Sequence, residues 1–429
     1  MRIPLALVLL ASALAAQDGD LAARGYTKLW NGTDLAGWHG QRQFDPYQLA
    51  AMTAEARAAM RAEDDAQVAA HWRIENGELI NDGHGAFLTT DRAFGDAEFV
   101  LEYKTVALAD SGIYLRGTPQ VQIWDVTEAG GKWKIGADKG SGALWNNEKH
   151  ARFPPKVADR PFGEWNRLEI RQLGALTWVT LNGVVTVDGV VMENFWNRAL
   201  PLPRTGPLQL QTHGGEIRFR ELWVREIAAD EANTLLAAHG ADGFLPIFDG
   251  TFAGWQGDTD SYEIVGGAIR CKAGKGGNLF TVATFTDFAV RLQFQLPPGG
   301  NNGLAIRYPG KGDPAYAGVE VQVLDDTAEK YGKLKDYQYH GSIYGVVASA
   351  RGHLRPVGEW NFEEVVVRGT RYTVTLNGSV IVDADIAGLA SALPDHLGLL
   401  RTAGHFGFCG HGDAVAFRDI RIRALRGAK

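Results

Sequence analysis

The sequence predicts an all-β protein made of two tandem sandwich domains. Three observations carry this: a length of 429 residues, short apolar-alternating runs separated by Gly, Asn and Asp signals, and a long internal repeat. A chain of this length exceeds what one core usually organises, and its 53 glycines, 12 tryptophans and 12 tyrosines suit strands joined by tight turns. The repeat begins with L-W-N-G-T-D-L-A-G-W ending at Trp38, which returns as I-F-D-G-T-F-A-G-W ending at Trp255. G-E-W-N at Gly163 and Gly358, and the L-N-G turns at Asn182 and Asn377, recur 195 residues apart. The stretch from Gly206 matches that from Gly404 at an offset of 198. Solenoid repeats run to about 20–50 residues, so this period means domain duplication.

Taken in chain order, the N-terminal stretch has one positive charge at Arg2, an apolar run from Leu5 to Leu14, and small residues at Ala13 and Ala15. It predicts a signal peptide over residues 1–16, and so a secreted or periplasmic protein. The run is shorter than the roughly 18 residues a membrane span needs, and no later stretch reaches that length. The first domain is expected at 24–227. Asp45-Pro46 opens a helical insertion, as an N-cap followed by proline, with Leu49, Met52, Ala56 and Met60 at helical spacing. Gly112 to Arg116 and Val121 to Asp125 read as strands, matched by Gly303 to Arg307 and Val321 to Asp325. Thr177 to Asp188 and Tyr372 to Asp383 read as hairpins, because Asn-Gly supplies the two positive φ angles of a type I′ turn. Ala229 to Gly240 reads as a linker helix within 228–242, and the second domain is expected at 243–426.

The formal charge of -7 is spread along the chain with no basic block, which argues against a nucleic-acid partner. Two cysteines, Cys271 and Cys409, do not make a disulfide framework, although export would permit them to pair. Zinc-ligand spacings, a P-loop and G-x-S-x-G are absent from the sequence. A divalent cation held by oxygen ligands scattered over loops leaves no sequence signature, so a structural or catalytic cation stays open. Oligomeric state is not legible.

Within this frame the first copy resembles the 3-keto-disaccharide hydrolase (DUF1080) family. The residues carrying the likeness are W-R-I-E-N-G-E-L-I-N-D-G, D-S-G-I-Y-L-R-G-T-P-Q-V-Q-I-W-D, G-S-G-A-L-W-N-N, G-E-W-N-R and the stretch from Met192 to Arg220. The second copy matches more loosely, through N-N-G-L-A-I-R, V-E-V-Q-V-L-D-D and H-G-S-I-Y-G. The resemblance implies concanavalin A-like jelly rolls and cleavage of glycosides whose sugar carries a ketone at C3. A C3 ketone acidifies the C2 proton. A base can then remove it, the C1 substituent leaves, and water adds to the enone; this needs a base, an enolate stabiliser and a proton donor but no redox cofactor.

Candidates follow from strand alternation and from duplication. Gln120, Gln122 and Trp124 share one face of a strand, with Glu320 and Gln322 as second-copy equivalents. Amides beside an indole suit a sugar, whose hydroxyls need donors and acceptors while its apolar face stacks; such amides are also ordinary sheet surface. A cavity is expected on the concave sheet near Gln122 or Gln322. Arg116 and Arg307 match one another and either hold sugar or sit in ion pairs. Asp125 and Asp325 end their strands and either act or start turns. His213 and His411 correspond, each where a strand meets a Gly-rich turn, and His213 is the favoured base because Gln211, Glu216 and Arg218 stand close to it in sequence. His340 replaces Ser141, so a role there belongs to the second copy. Glu193 and Trp196 lie in a loop of the first copy that walls a pocket or caps the sandwich. The strand P-Q-V-Q-I-W-D lacks the paired carboxylates of an ordinary retaining glycosidase. Two functions therefore stand side by side: a 3-keto-glycoside-cleaving enzyme, and a pair of lectin-like glycan-binding modules.

Overall fold

The Asn-Gly signals fold as the turn chemistry requires. In a computed structural model describing residues 20–425, Asn182 and Gly183 take φ of 51° and 80°, and Asn377 and Gly378 take 49° and 82°. The signal peptide expected over residues 1–16 lies outside the described residues. The chain divides after Ile227 into two units, and each is an antiparallel two-sheet sandwich.

In the first unit the larger sheet runs Val184–Val191, Leu176–Leu181, Asn166–Leu173, Ala97–Thr105, Ile217–Glu226, Glu78–Asn81 and Trp72–Glu75, with Thr27–Lys28 added along Ile217–Glu226. The five-stranded sheet runs Trp38–Gln41, Phe87–Phe94, Gly206–Leu210, Asp110–Leu115 and Thr118–Trp124. The second unit repeats this order. Its five-stranded sheet is Trp255–Gly257, Gly277–Phe285, Gly404–Gly410, Asn301–Tyr308 and Val319–Leu324. Alternate residues of every strand enter the space between the sheets, where Leu79, Ile113, Val121, Leu210 and Phe219 form part of one core and Phe288, Phe294, Val321, Phe406 and Phe417 part of the other. Fully burying each such side chain contributes about 1.5–3 kcal/mol.

The helical insertion forms as two helices, Pro46–Ala51 capped by Asp45 and Ala54–His71 capped by Thr53. Its docking differs from the apolar stripe expected at Leu49 to Met60: the residues it buries are Asp64 and Val68. Gly40 admits the helix, since a Cβ there would stand 2.2 Å from the Asp64 carbonyl oxygen. Arg42 then clamps the Asp64 carboxylate, its Nε donating at 2.8 Å. The helix Ala229–Ala238 is also more than a linker. Its buried Asn233 donates to Gln293 at 3.2 Å and to the Trp360 carbonyl at 2.9 Å, so it packs as part of the second unit.

The cysteines do not pair. Cys271 faces the core between the sheets, whereas Cys409 lies among Phe280, Ala305 and Tyr308 on the other face of its sheet.

Candidate active site

Strand alternation places Asp110, Gly112 and Tyr114 on one face of Asp110–Leu115, beside Gln120, Gln122 and Trp124 of the partner strand. Gly112 makes the close approach feasible: a Cβ there would meet Gln120 Cβ at 2.7 Å and Gln211 Oε1 at 3.0 Å. Above this face lies a cavity of about 240 Å³. Its floor includes Asp110, Tyr114, Gln120, Gln122 and Gln211, and its walls include Lys132, Trp145, Phe195 and His213.

The polar network centres on Asp110, a residue 7 % exposed. Its Oδ1 accepts from Gln122 Nε2 at 2.7 Å, and Gln120 Nε2 donates in turn to Gln122 Oε1 at 2.6 Å. Its Oδ2 pairs with His213 Nδ1 at 2.9 Å and also receives Lys132 Nζ. Burial pushes the Asp110 carboxyl up, but the bonds from His213 and Lys132 outweigh it, so the group is held below its ordinary value and stays ionised. The bond to Asp110 raises His213 above its ordinary value, against a smaller opposing effect of burial. With Nδ1 engaged, Nε2 is the nitrogen left to exchange a proton, and the His213 side chain is 61 % exposed. Burial pushes the Tyr114 phenol well up, which keeps it a neutral hydroxyl in contact with Gln43 Nε2 at 3.1 Å. Gln211 Oε1 is buried and without a hydrogen-bond partner among the described residues, an acceptor available to a ligand. Trp124 and Trp145 meet edge to face at 6.2 Å.

The structure thus gathers Gln120, Gln122, Trp124, Gln211 and His213, and adds Asp110, Lys132, Tyr114, Gln43, Trp145 and Phe195. Strand alternation would have found Asp110 and Tyr114, which precede Gly112 and follow it at even spacing; Lys132 and Gln43 come from loops without any local signal.

Other expected site residues belong elsewhere. Glu216 pairs with Arg73 and Arg218, away from the cavity residues, because it stands at the start of Ile217–Glu226, an interior strand of the larger sheet. Asp125 is a turn anchor accepting from the amides of Thr127 and Leu108 at 2.8 Å. Arg116, 3 % exposed and at φ 56°, donates to the carbonyls of Gly95 and Pro203. Arg307 does likewise toward Thr286, Gly369 and Arg401, so both guanidinium groups are engaged with backbone carbonyls at the sandwich end. Glu193 accepts the amides of Glu148, Lys149 and His150, tying the loop that carries Trp145 to the one that carries Phe195. Trp196 backs Phe195, ring to ring at 5.2 Å. His340 is buried against Phe294 and lies 3.2 Å from Glu363, inside the second core. Glu320, Gln322 and His411 do come together, in the second unit. No cluster of three or more His, Cys, Asp or Glu side chains fit to hold a metal ion occurs among the described residues.

The family model of the 3-keto-alpha-glucoside-1,2-lyase-like domain matches residues 25–225 and again 243–423. The chain belongs to that family. A relative in Bacteroides thetaiotaomicron, named 3-keto-disaccharide hydrolase, is 29% identical over 268 residues, which is 52% of this chain and 91% of the relative. Among solved structures, a Parabacteroides distasonis protein described as a glycosyl hydrolase is 27% identical, with 42% of this chain and 99% of that one covered at a TM-score of 0.39. The carbohydrate binding module CBM66 of Bacillus subtilis is 15% identical, over 40% of this chain and 96% of that one, at a TM-score of 0.28. No helix among the described residues is long and apolar enough to cross a membrane.

Proposed function

We propose that the first domain cleaves 3-keto-α-glucosides by elimination, with His213 as the base. The observation that supports it most is the Asp110–His213 contact at 2.9 Å on the wall of a sugar-sized, amide-lined cavity. In this reading His213 Nε2 takes the C2 proton, and the electron pair of that C–H bond forms an enolate with the C3 carbonyl. Lys132, on the cavity wall, faces the developing negative charge. The enolate then restores the C3 carbonyl as the C1–O bond breaks, and the imidazolium returns its proton to the departing oxygen. The products are an alcohol and an enone, and water adding across C1 and C2 yields the free 3-keto sugar. Asp110 keeps the imidazole in the tautomer that leaves Nε2 free. Gln211, Gln120 and Tyr114 offer hydrogen bonds to ring hydroxyls, and Trp124, Trp145 and Phe195 supply apolar wall. Export of the protein, motivated by residues 1–16, belongs to the same reading.

The test is release of nitrophenolate from 4-nitrophenyl 3-keto-α-glucoside, set beside 4-nitrophenyl α-glucoside. The expected result is release from the ketone alone. Equal release from both would mean ordinary glycosidase chemistry, and release from neither, with saturable binding of both, would leave a glycan-binding module.

A further inference from the structure

The second domain carries a polar cluster of its own with a different composition. Val319–Leu324 sets Glu320 and Gln322 on one face, and His411 follows the end of Gly404–Gly410. Glu320 is 4 % exposed, and its Oε1 lies 4.0 Å from His411 Nε2. In the orientation that satisfies both of its ends, the Gln322 amide donates to the same Oε1 at 3.1 Å. The backbone is cleared for this carboxyl, because a Cβ at Gly303 would stand 1.9 Å from Glu320 Oε1. The His411 side chain is 48 % exposed, and Tyr316, near enough to feel the Asp313 and Glu320 charges, is 45 % exposed with its ring against His396 at 5.5 Å.

Two physical points set the use of this cluster. Burying a carboxyl without a lysine or arginine partner costs stability, and burial pushes Glu320 up. The first domain meets the same position with a neutral amide, Gln120, which donates to Gln122 within the sheet face. A glutamine would therefore serve the fold at lower cost, so the carboxyl points to a ligand. The elimination machinery, in contrast, is not repeated. Asn301 stands where the first domain has Asp110, Ala305 where it has Tyr114, Cys409 where it has Gln211, and Gly332 where the 200-residue offset would put Lys132.

We infer that the second domain holds an independent saccharide-binding site, in which Glu320, Gln322 and His411 take adjacent hydroxyls of an unoxidised pyranoside while Tyr316 covers its apolar face. A carboxyl and an imidazole side by side present acceptor and donor together, which matches a pair of hydroxyls; a ketone can only accept. An exposed tyrosine near such polar groups offers the complement of a sugar's apolar face. The site goes beyond the proposed cleavage and stands whether or not the first domain performs it.

Calorimetric titration of the full chain with maltose tests this, alongside turnover of 4-nitrophenyl 3-keto-α-glucoside. Saturable maltose binding should persist in His213→Ala, and should weaken roughly tenfold or more in His411→Ala, Tyr316→Ala and Glu320→Gln, the loss of one good hydrogen bond or stacking contact. Turnover should be unchanged in those three variants. His411 and Tyr316 are exposed enough that their replacement leaves the fold intact, so the test survives if Glu320→Gln does not fold. Absence of saturable binding, binding unaffected by His411→Ala and Tyr316→Ala, or binding lost in His213→Ala instead would overturn the inference. Loss of turnover alone would count against the first domain's reading and leave this one standing.

Discussion

The five-stranded sheets of the two domains share strand order and differ on the face turned away from the core. In the first, Thr89, Gln209 and Gln211 line up with Tyr114, Gln120 and Gln122, and Gln209 Nε2 donates to Thr89 Oγ1 at 3.0 Å. In the second, the matching face carries Phe280, Gly407 and Cys409 beside Ala305. Phe280 lies over the glycine so closely that a Cβ on Gly407 would stand 2.6 Å from Phe280 Cβ. Tyr308 and His405 pack on the same ring at 5.2 and 5.1 Å. One face is therefore polar along its length where the other carries an aromatic cluster beside Glu320 and Gln322, on backbones of one topology. What duplicated faithfully is what builds the sandwich. Asp125 and Asp325 both accept from a threonine two residues on and from a neighbouring loop amide. Arg116 and Arg307 both hold positive φ and both satisfy carbonyls at the sandwich end. Matched residues that keep the same partners in both copies serve the sandwich, and divergence at matched positions marks where the two faces differ.

The sharpest way to break this comparison is to remove the two matched histidines in turn. His213→Ala should lower turnover of the 3-keto substrate by about 10²-fold or more, within the range a general base contributes. His411→Ala should leave turnover nearly unchanged. Binding of the ketone should persist in both, because a base acts mainly in the transition state. Equal losses, or unchanged C2-proton exchange in a folded His213→Ala, would move the base elsewhere.

A smaller effect is expected on giving the first domain the second domain's residue at the network's centre. Asp110→Asn removes the bond that raises His213 and orients it, and should cost roughly tenfold or more in kcat. The pH dependence supplies the sign. The base works as neutral imidazole, so kcat/KM should rise with pH through a limb centred above the ordinary imidazole value of 6.5. In Asp110→Asn that limb should move to lower pH. A limb that stays in place would show that another group is titrating. Gln211→Cys, a second transplant, removes an amide oxygen without an internal partner and should raise KM several-fold with kcat little changed; a kcat effect larger than the KM effect would give Gln211 a role in the chemical step.

How much of this was legible in the sequence follows from the same contrast. The sandwiches were readable because alternation, Asn-Gly turns and a 195-residue repeat are local and redundant signals. Gln120, Gln122 and Trp124 were readable because a strand's period of two assigns faces without further information. Glu216 was misplaced because its closeness to His213 in the chain does not survive a Gly-Gly turn that hands the chain to the other sheet. Lys132 was missed because it reaches Asp110 from a loop of short 3₁₀ turns, where no periodicity says which way a side chain points. The helix docking was misjudged for a related reason: a buried Asp64 held by Arg42 and set against Gly40 depends on a partner strand, not on helical spacing.

The smallest expected effect concerns the cysteines, and it tests the register of the second domain's five-stranded sheet. Successive residues of a strand point to opposite faces. Phe408 enters the core, so Cys409 must leave it, and Cys409 indeed packs beside Phe280, Ala305 and Tyr308. Cys271 faces the core, where a Cβ on Gly410 would stand 3.0 Å from its Sγ. The two thiols thus lie on opposite sides of one sheet although they are close in the chain's fold. Burial pushes both above the ordinary thiol value, Cys409 the further, which leaves little thiolate to react in the folded state. Two thiols per chain should therefore titrate after denaturation without reductant, and the melting temperature should be the same with and without reductant. A bridge across so long a loop would add about 4–5 kcal/mol. A reductant-dependent drop of several degrees would mean that Cys409 points inward, which would shift the register of Gly404–Gly410 by one residue and take the matched His411 away from Glu320.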